Sequence, residues 1–270
     1  MYNERIYLSD DKRAYIDAYI SDLKVFPRDA MLVMPGGGYY KVCSDREGEP
    51  IALAYLAKGY NTFVLNYRAT DPEKDIYPTQ LLDACRAVLT IKENAEKFNI
   101  NPDRIFAVGF SAGAHLAGCL ALLSNDELVL NALNVTADEL KIKGIVLCYP
   151  VVTALSATHR GSFERLSGMP FDEIPLEIKK KFSLEENVNE NSPPAFIWHT
   201  AEDKTVPIVG SLSLAEKYAK HGVPVSLHIY PYGCHGIALG DKFTNFRSGQ
   251  TEPLALRWLD DSVDFLNTLH

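Results

Sequence analysis

Between residues 30 and 230 the chain keeps to one pattern. Short uninterrupted apolar runs alternate with longer stretches whose apolar positions recur at helical spacing. The runs are AMLVM, NTFVLNY, RIFAVGF, KGIVLCY, PAFIWHT and VSLHIY. A strand with one wet face alternates polar and apolar residues. An uninterrupted run is expected of a strand covered on both faces, as in a parallel sheet. The stretches between the runs have readable helix ends. DREGEPIALAYLAKG opens on acidic residues, which suit a helix N-terminus, and stops at Gly59. YPTQLLDACRAVLTIKENAEKFNI carries a threonine near its start, VGSLSLAEKYAKHG stops at Gly222, and the amphipathic EPLALRWLDDSVDFLNTLH closes the chain. Ahead of residue 30, ERIYLS and AYIDAYI alternate and predict two antiparallel edge strands. Strands alternating with helices through right-handed crossovers make a doubly wound, mostly parallel α/β sheet flanked by helices. No repeat or low-complexity linker interrupts it, so residues 1–270 read as a single domain.

One segment breaks the rhythm. Residues 151–192 lie between two strands and are too long for an ordinary connection. Long connections at the C-terminal edge of a parallel sheet commonly cover a site, so this segment predicts an inserted lid.

The chemistry concentrates at VGFSAGAHLAG, residues 108–118. Gly109-Phe110-Ser111-Ala112-Gly113 fits the G-x-S-x-G turn that lifts a nucleophilic serine out of the fold between a strand and a helix. Large neighbours would clash in so tight a turn. The turn also leaves the Ala112 N–H at a helix N-terminus, where it stabilises developing negative charge. MPGGGYY, residues 34–40, follows the strand AMLVM, and its glycines allow free backbone N–H groups to approach a substrate. Tyr39 and Tyr40, which follow the glycines, are candidate substrate contacts or simply pack the loop.

A serine nucleophile needs a base and an acid, here in the order Ser, acid, His. Of seven histidines, His235 follows the last strand in the glycine-containing YPYGCHGIAL, where the base belongs. His115 is fixed on the helix behind Ser111 and reads as a packing or supporting residue. His199 and His228 sit inside strand runs and read as core or edge histidines. The acid follows PAFIWHT in AEDKTVP. Glu202 and Asp203 both qualify by position, and Asp203 is preferred because it opens the turn into the next helix on a shorter side chain.

These residues resemble the α/β-hydrolase superfamily, and within it small bacterial carbohydrate and acetyl esterases related to hormone-sensitive-lipase-like esterases. The resemblance spans most of the chain and rests on PGGGYY, REGEPIALAYLAKGY, FVLNYR, VGFSAGAHLAG, HTAEDKTVP and GCHG. It departs from the lipase-like pattern at Pro35, where that group has histidine, and at Phe110, where it has an acidic residue. It implies a serine esterase acting on short acyl esters, acetyl foremost, on sugars or oligosaccharides. Ser111, His235 and Asp203 would be its triad and the N–H groups of Ala112 and of Gly37 or Gly38 its oxyanion hole, with no cofactor and no metal. An amidase of the kynurenine formamidase type shares a similar SAGAHLA turn and is the alternative. A hydrolase fold kept only as a ligand receptor is a third reading, weakened because all three triad residues are present.

Composition narrows the partners. A net charge of -8 with no basic cluster argues against nucleic acid and anionic membrane. The first twenty residues are charged throughout and lack an apolar run, and the five cysteines show no pairing or metal-ligand spacing. Both features lead to the expectation of a cytoplasmic protein with reduced thiols, acting on a small-molecule ester.

Overall fold

The computed structural model describes residues 1–69, 71–245 and 249–270. Among these, eight strands form one sheet in the order β1-β2-β4-β3-β5-β6-β7-β8. They are β1 Tyr2–Tyr7, β2 Tyr15–Ile20, β3 Arg28–Met34, β4 Asn61–Asn66, β5 Ile100–Phe110, β6 Gly144–Cys148, β7 Ala195–Thr200 and β8 Val225–Tyr230. β1 pairs antiparallel with β2, and β2 antiparallel with β4. Every later pairing is parallel.

The apolar runs owe their continuity to two cores. Leu32, Ala107, Leu147 and Ile197 face one, under the helices Thr79–Glu93 and Ala112–Leu123. Val33, Val108, Val146 and Trp198 face the other, under Glu49–Ala57 and Trp258–Asn267. A strand sandwiched in this way has no wet face, so each position can be apolar. β8 departs from the expectation. VSLHIY is an edge strand, and five of its six residues are half-buried or exposed. The stretch DREGEPIALAYLAKG also divides at Gly48, into Ser44–Glu47 and Glu49–Ala57. The divide lets the Glu47 carboxylate turn back to the Gly36 N–H. Among the described residues no single helix is long and apolar enough to cross a membrane.

β3 is flanked by β4 on one side and β5 on the other, so the chain reverses its direction of travel across the sheet here. The crevice beyond the C-terminal ends of strands at such a reversal is where open α/β sheets hold ligands. The loop Pro35–Tyr40 leaves β3, and Ser111 leaves β5, at this crevice.

Residues 151–192 leave β6 and return at β7 through two helices, Arg160–Ser167 and Leu176–Phe182, with short 3-10 turns after each. Phe163, Leu166, Phe182 and Leu184 are buried, joining the segment to the main core. Its firmest tie is His115, fully buried on the helix after Ser111. The Phe182 carbonyl can only accept, so the 2.7 Å contact puts a proton on His115 Nε2. Nδ1 then accepts from the Tyr39 hydroxyl at 2.8 Å. One neutral ring thus joins the helix, the glycine loop and the insert.

Burial pushes the His115 pKa down to about 4 from an ordinary 6.5. The unfolded chain therefore binds a proton that the folded chain refuses, and stability is full above pH 6.5 and lost as pH falls toward 4. The loss from this one group is roughly 3 kcal/mol. Urea midpoints measured from pH 8 to pH 4.5 should decline through this window. His115→Gln, less stable at pH 8, should decline less steeply. Equal slopes for the two proteins would refute the assignment.

Candidate active site

Ser111 occupies the turn between β5 and the helix Ala112–Leu123 with φ 54° and ψ -117°. For a residue with a side chain this backbone costs on the order of 1–3 kcal/mol. Hydrogen bonds hold it there. The Ser111 N–H donates to Cys148 O at 3.0 Å, and Ser111 O accepts from His115 at 3.1 Å and Val151 at 3.2 Å. The glycines on either side serve close packing. A Cβ on Gly109 would stand 2.3 Å from Gly113 O, and one on Gly113 would stand 2.1 Å from Met34 O. Any larger residue would push the helix off the sheet.

Ser111, His235 and Asp203 form one hydrogen-bonded chain. His235 Nε2 lies 2.8 Å from Ser111 Oγ, and Nδ1 lies 2.6 Å from Asp203 Oδ2. All three residues are buried, at 8%, 7% and 8% exposure. Asp203 Oδ1 accepts from the backbone N–H groups of Thr205 and Val206 at 2.8 and 2.9 Å. Oδ2 also lies 3.2 Å from His199 Nε2, which is 3.1 Å from Val206 O as well. Two acceptors at Nε2 require its proton, so Nε2–H donates to Asp203, while Nδ1 is hydrogen-bonded to the Ser211 hydroxyl at 2.8 Å. Burial pushes the Asp203 pKa up. The hydrogen bonds from His199 and His235 outweigh it and hold the carboxyl well below the usual range. Asp203 is therefore a fixed carboxylate with its lone pairs committed. Its neighbour Glu202 is exposed and accepts instead from Gly233 N–H at 3.3 Å.

The glycine loop faces Ser111 across the crevice. Gly37 and Gly38 take φ 135° and 65° and line a cavity of about 310 Å³ with Ser111 and His235. The Gly36 N–H is already committed to Glu47 at 2.8 Å. The N–H groups of Gly37 and Gly38 meet no acceptor among the described residues. Ala112 begins its helix, so its N–H has no partner within the helix.

The two tyrosines part company. Tyr40 is 49% exposed at the cavity mouth, with the Arg165 guanidinium 4.2 Å above its ring. Tyr39 is a correction. It is 1% exposed, bonded to His115 and packed edge-on to Tyr67, and it is absent from the cavity wall. Its left-handed backbone, φ 61°, turns the side chain into the core. The insert adds a residue that sequence reasoning did not place at the site. His159 lines the cavity and holds Ser162 Oγ through Nδ1 at 2.9 Å. Burial, then the proximity of His235, keep its pKa below the ordinary histidine value.

An imidazole between a hydroxyl and a fixed carboxylate can take the hydroxyl proton as the oxygen attacks a carbonyl. The carboxylate steadies the imidazolium that results. N–H groups of the glycine loop and of Ala112, set near that oxygen, are suited to stabilise an oxyanion.

Comparison with known proteins agrees with this chemistry. Residues 16–218 match the family model BD-FAE. Over 226 residues the chain is 39% identical to endo-1,4-beta-xylanase B of Butyrivibrio fibrisolvens, covering 82% of the chain and 34% of that protein. It is 28% identical over 239 residues to the acetylxylan esterase of Xylanibacter ruminicola, covering 87% of the chain and 46% of that protein. The chain thus spans less than half the length of these two relatives. Among solved structures, an acetyl ester-xyloside bifunctional hydrolase from Caldicellulosiruptor lactoaceticus matches with TM-score 0.82 and 30% identity, over 98% of this chain and 96% of that one. The carboxylesterase Cest-2923 from Lactobacillus plantarum matches with TM-score 0.84 and 25% identity, over 99% and 98% of the two chains.

Two substitutions test the geometry. Ser111→Ala should abolish turnover by up to about 10⁶-fold in kcat with the circular dichroism spectrum unchanged. Retention of a tenth of the activity would remove Ser111 from the role. Asp203→Asn should cost about 10⁴-fold by offering His235 the wrong hydrogen-bond partner, whereas Glu202→Gln should change kcat less than threefold. The reverse ranking would transfer the role to Glu202.

Proposed function

The chain belongs to the BD-FAE family of α/β-hydrolases, and on that footing we propose that it is a serine esterase that removes short acyl groups, acetyl foremost, from sugars or oligosaccharides. The observation that carries the reading is the Ser111–His235–Asp203 chain opening on a cavity of about 310 Å³. In this reading His235 takes the Ser111 proton as Oγ attacks the ester carbonyl. The oxyanion is held by Ala112 N–H and by Gly37 or Gly38 N–H. The alcohol leaves with the proton from His235, and water then releases the acyl group by the same steps in reverse order.

The acyl preference follows from space. A cavity of about 310 Å³ must hold both the acyl group and part of a sugar, which favours a short acyl chain. The sugar class follows from relatives whose names refer to xylan and xylosides. Residues 151–192 would serve as the lid of this site, with neutral His159 and exposed Tyr40 at the mouth to meet the sugar. No cofactor takes part in the proposed reaction.

The test is a series of p-nitrophenyl esters from acetate to octanoate. Acetate should give the highest kcat/KM, and each overpacking step should cost about 1–3 kcal/mol once the acyl wall is reached. Equal rates on octanoate would overturn the acetyl preference and favour a lipase-like enzyme. Faster turnover of N-formylkynurenine than of any acetate ester would favour the amidase reading. With acetylated xylo-oligosaccharides as substrate, release of acetate should depend on Ser111.

A further inference from the structure

The segment Arg46–Pro50, REGEP, has no part in the reaction described above, yet it carries a buried carboxylate. Glu47 is 2% exposed. Its Oε2 accepts from the Gly36 N–H at 2.8 Å, and its Oε1 accepts from the Tyr149 hydroxyl at 2.9 Å. The Tyr149 oxygen in turn accepts the Ala238 N–H at 3.1 Å. The Tyr149 ring stands edge-on to the His235 imidazole, with centroids 5.0 Å apart. Gly36 directly precedes the two glycines of the candidate oxyanion hole, and Ala238 lies three residues beyond His235. A single carboxylate is therefore bonded to the loop that faces the substrate oxygen and, through one phenol, to the loop that carries the base.

Burying a carboxylate is costly unless its oxygens are fully engaged, and hydrogen bonds to a charged acceptor are the stronger kind. A site that needed only filler behind the crevice would be met by an apolar side chain. Tyr149 also holds a left-handed backbone, φ 38°, pinned by its N–H to Trp198 O at 2.7 Å. That conformation points the phenol from the end of β6 between the two loops.

We propose that Glu47 is a positioning residue that sets the oxyanion loop directly and the His235 loop through Tyr149. The proposal rests on the serine-esterase reading. Glu47 also lines the substrate cavity, so the isosteric Glu47→Gln keeps that wall while loss of the carboxylate contacts shifts Gly37 and Gly38 relative to Ser111. The effect therefore falls on the transition state rather than on substrate binding.

The experiment compares wild type, Ser111→Ala, Glu47→Gln and Tyr149→Phe on p-nitrophenyl acetate. It also measures inhibition by phenylboronic acid, whose serine adduct mimics the tetrahedral oxyanion. If wild type shows no Ser111-dependent hydrolysis, the esterase reading fails and the proposal falls with it. If wild type is active, folded Glu47→Gln should lose about 10- to 100-fold in kcat, the range that a small misplacement of catalytic groups commands. KM should stay within about threefold, and the boronate inhibition constant should rise by the factor by which kcat falls. Tyr149→Phe keeps the ring and should show the same pattern at smaller amplitude. A kcat within twofold of wild type in folded Glu47→Gln overturns the proposal, as does a kcat loss with unchanged boronate affinity. Should Glu47→Gln fail to fold, Tyr149→Phe decides alone. Unchanged kcat and boronate affinity there overturn it.

Discussion

The close approach of two backbones at Gly113 is the constraint from which the rest of the site follows. The helix after β5 comes so near the end of β3 that no side chain fits between them. Only at that distance can Ser111 stand on a one-residue turn beside the glycine loop, in a conformation that Cys148 of β6, Val151 beyond it and His115 of the following helix hold by hydrogen bonds. A nucleophile placed by packing rather than by a flexible loop does not pay an ordering cost at each turnover. The strain at Ser111 is local and small beside the burial of two cores, one on either face of the sheet.

Legibility in the sequence tracks how local the determinants are. The uninterrupted runs of β3 to β7 could be read because both faces of each strand are dry. VSLHIY looked the same but lies at the edge of the sheet, and a run of six residues does not reveal its neighbours. Gly109 and Gly113 announced the turn because their requirement is steric and arises within five residues. Tyr39 and Tyr40 were inseparable in the sequence. Their difference is a single left-handed φ that sends one into the core and leaves the other at the mouth.

The supporting residues were hidden for a related reason. His199 looked like a core histidine, which it is, yet its ring also donates to Asp203. The i, i+4 spacing of the two carries no helical meaning across a strand end, so nothing in the text marked the contact. Glu47 sat in a segment whose acids read as helix-start residues. Its partners, Gly36 and Tyr149, come from two other stretches of chain. His159 is brought to the cavity by an insert whose path no periodicity encodes. Residues whose role is to hold another residue are placed by tertiary contacts, and one sequence does not display those.

The tie from His115 to Phe182 divides the insert into unequal parts. Its far end, from Phe182 to Leu184, is locked to the helix behind Ser111, and Leu184 fills the space above Gly118. Its near end, residues 154–160, carries Leu155 out toward solvent before His159 turns back to the cavity. In the proposed reading, a different near end would reshape the cavity mouth at His159, while the anchored end holds the helix after Ser111 in place. On that proposal, access to the cavity and the geometry at Ser111 are separable, carried by opposite ends of one connection.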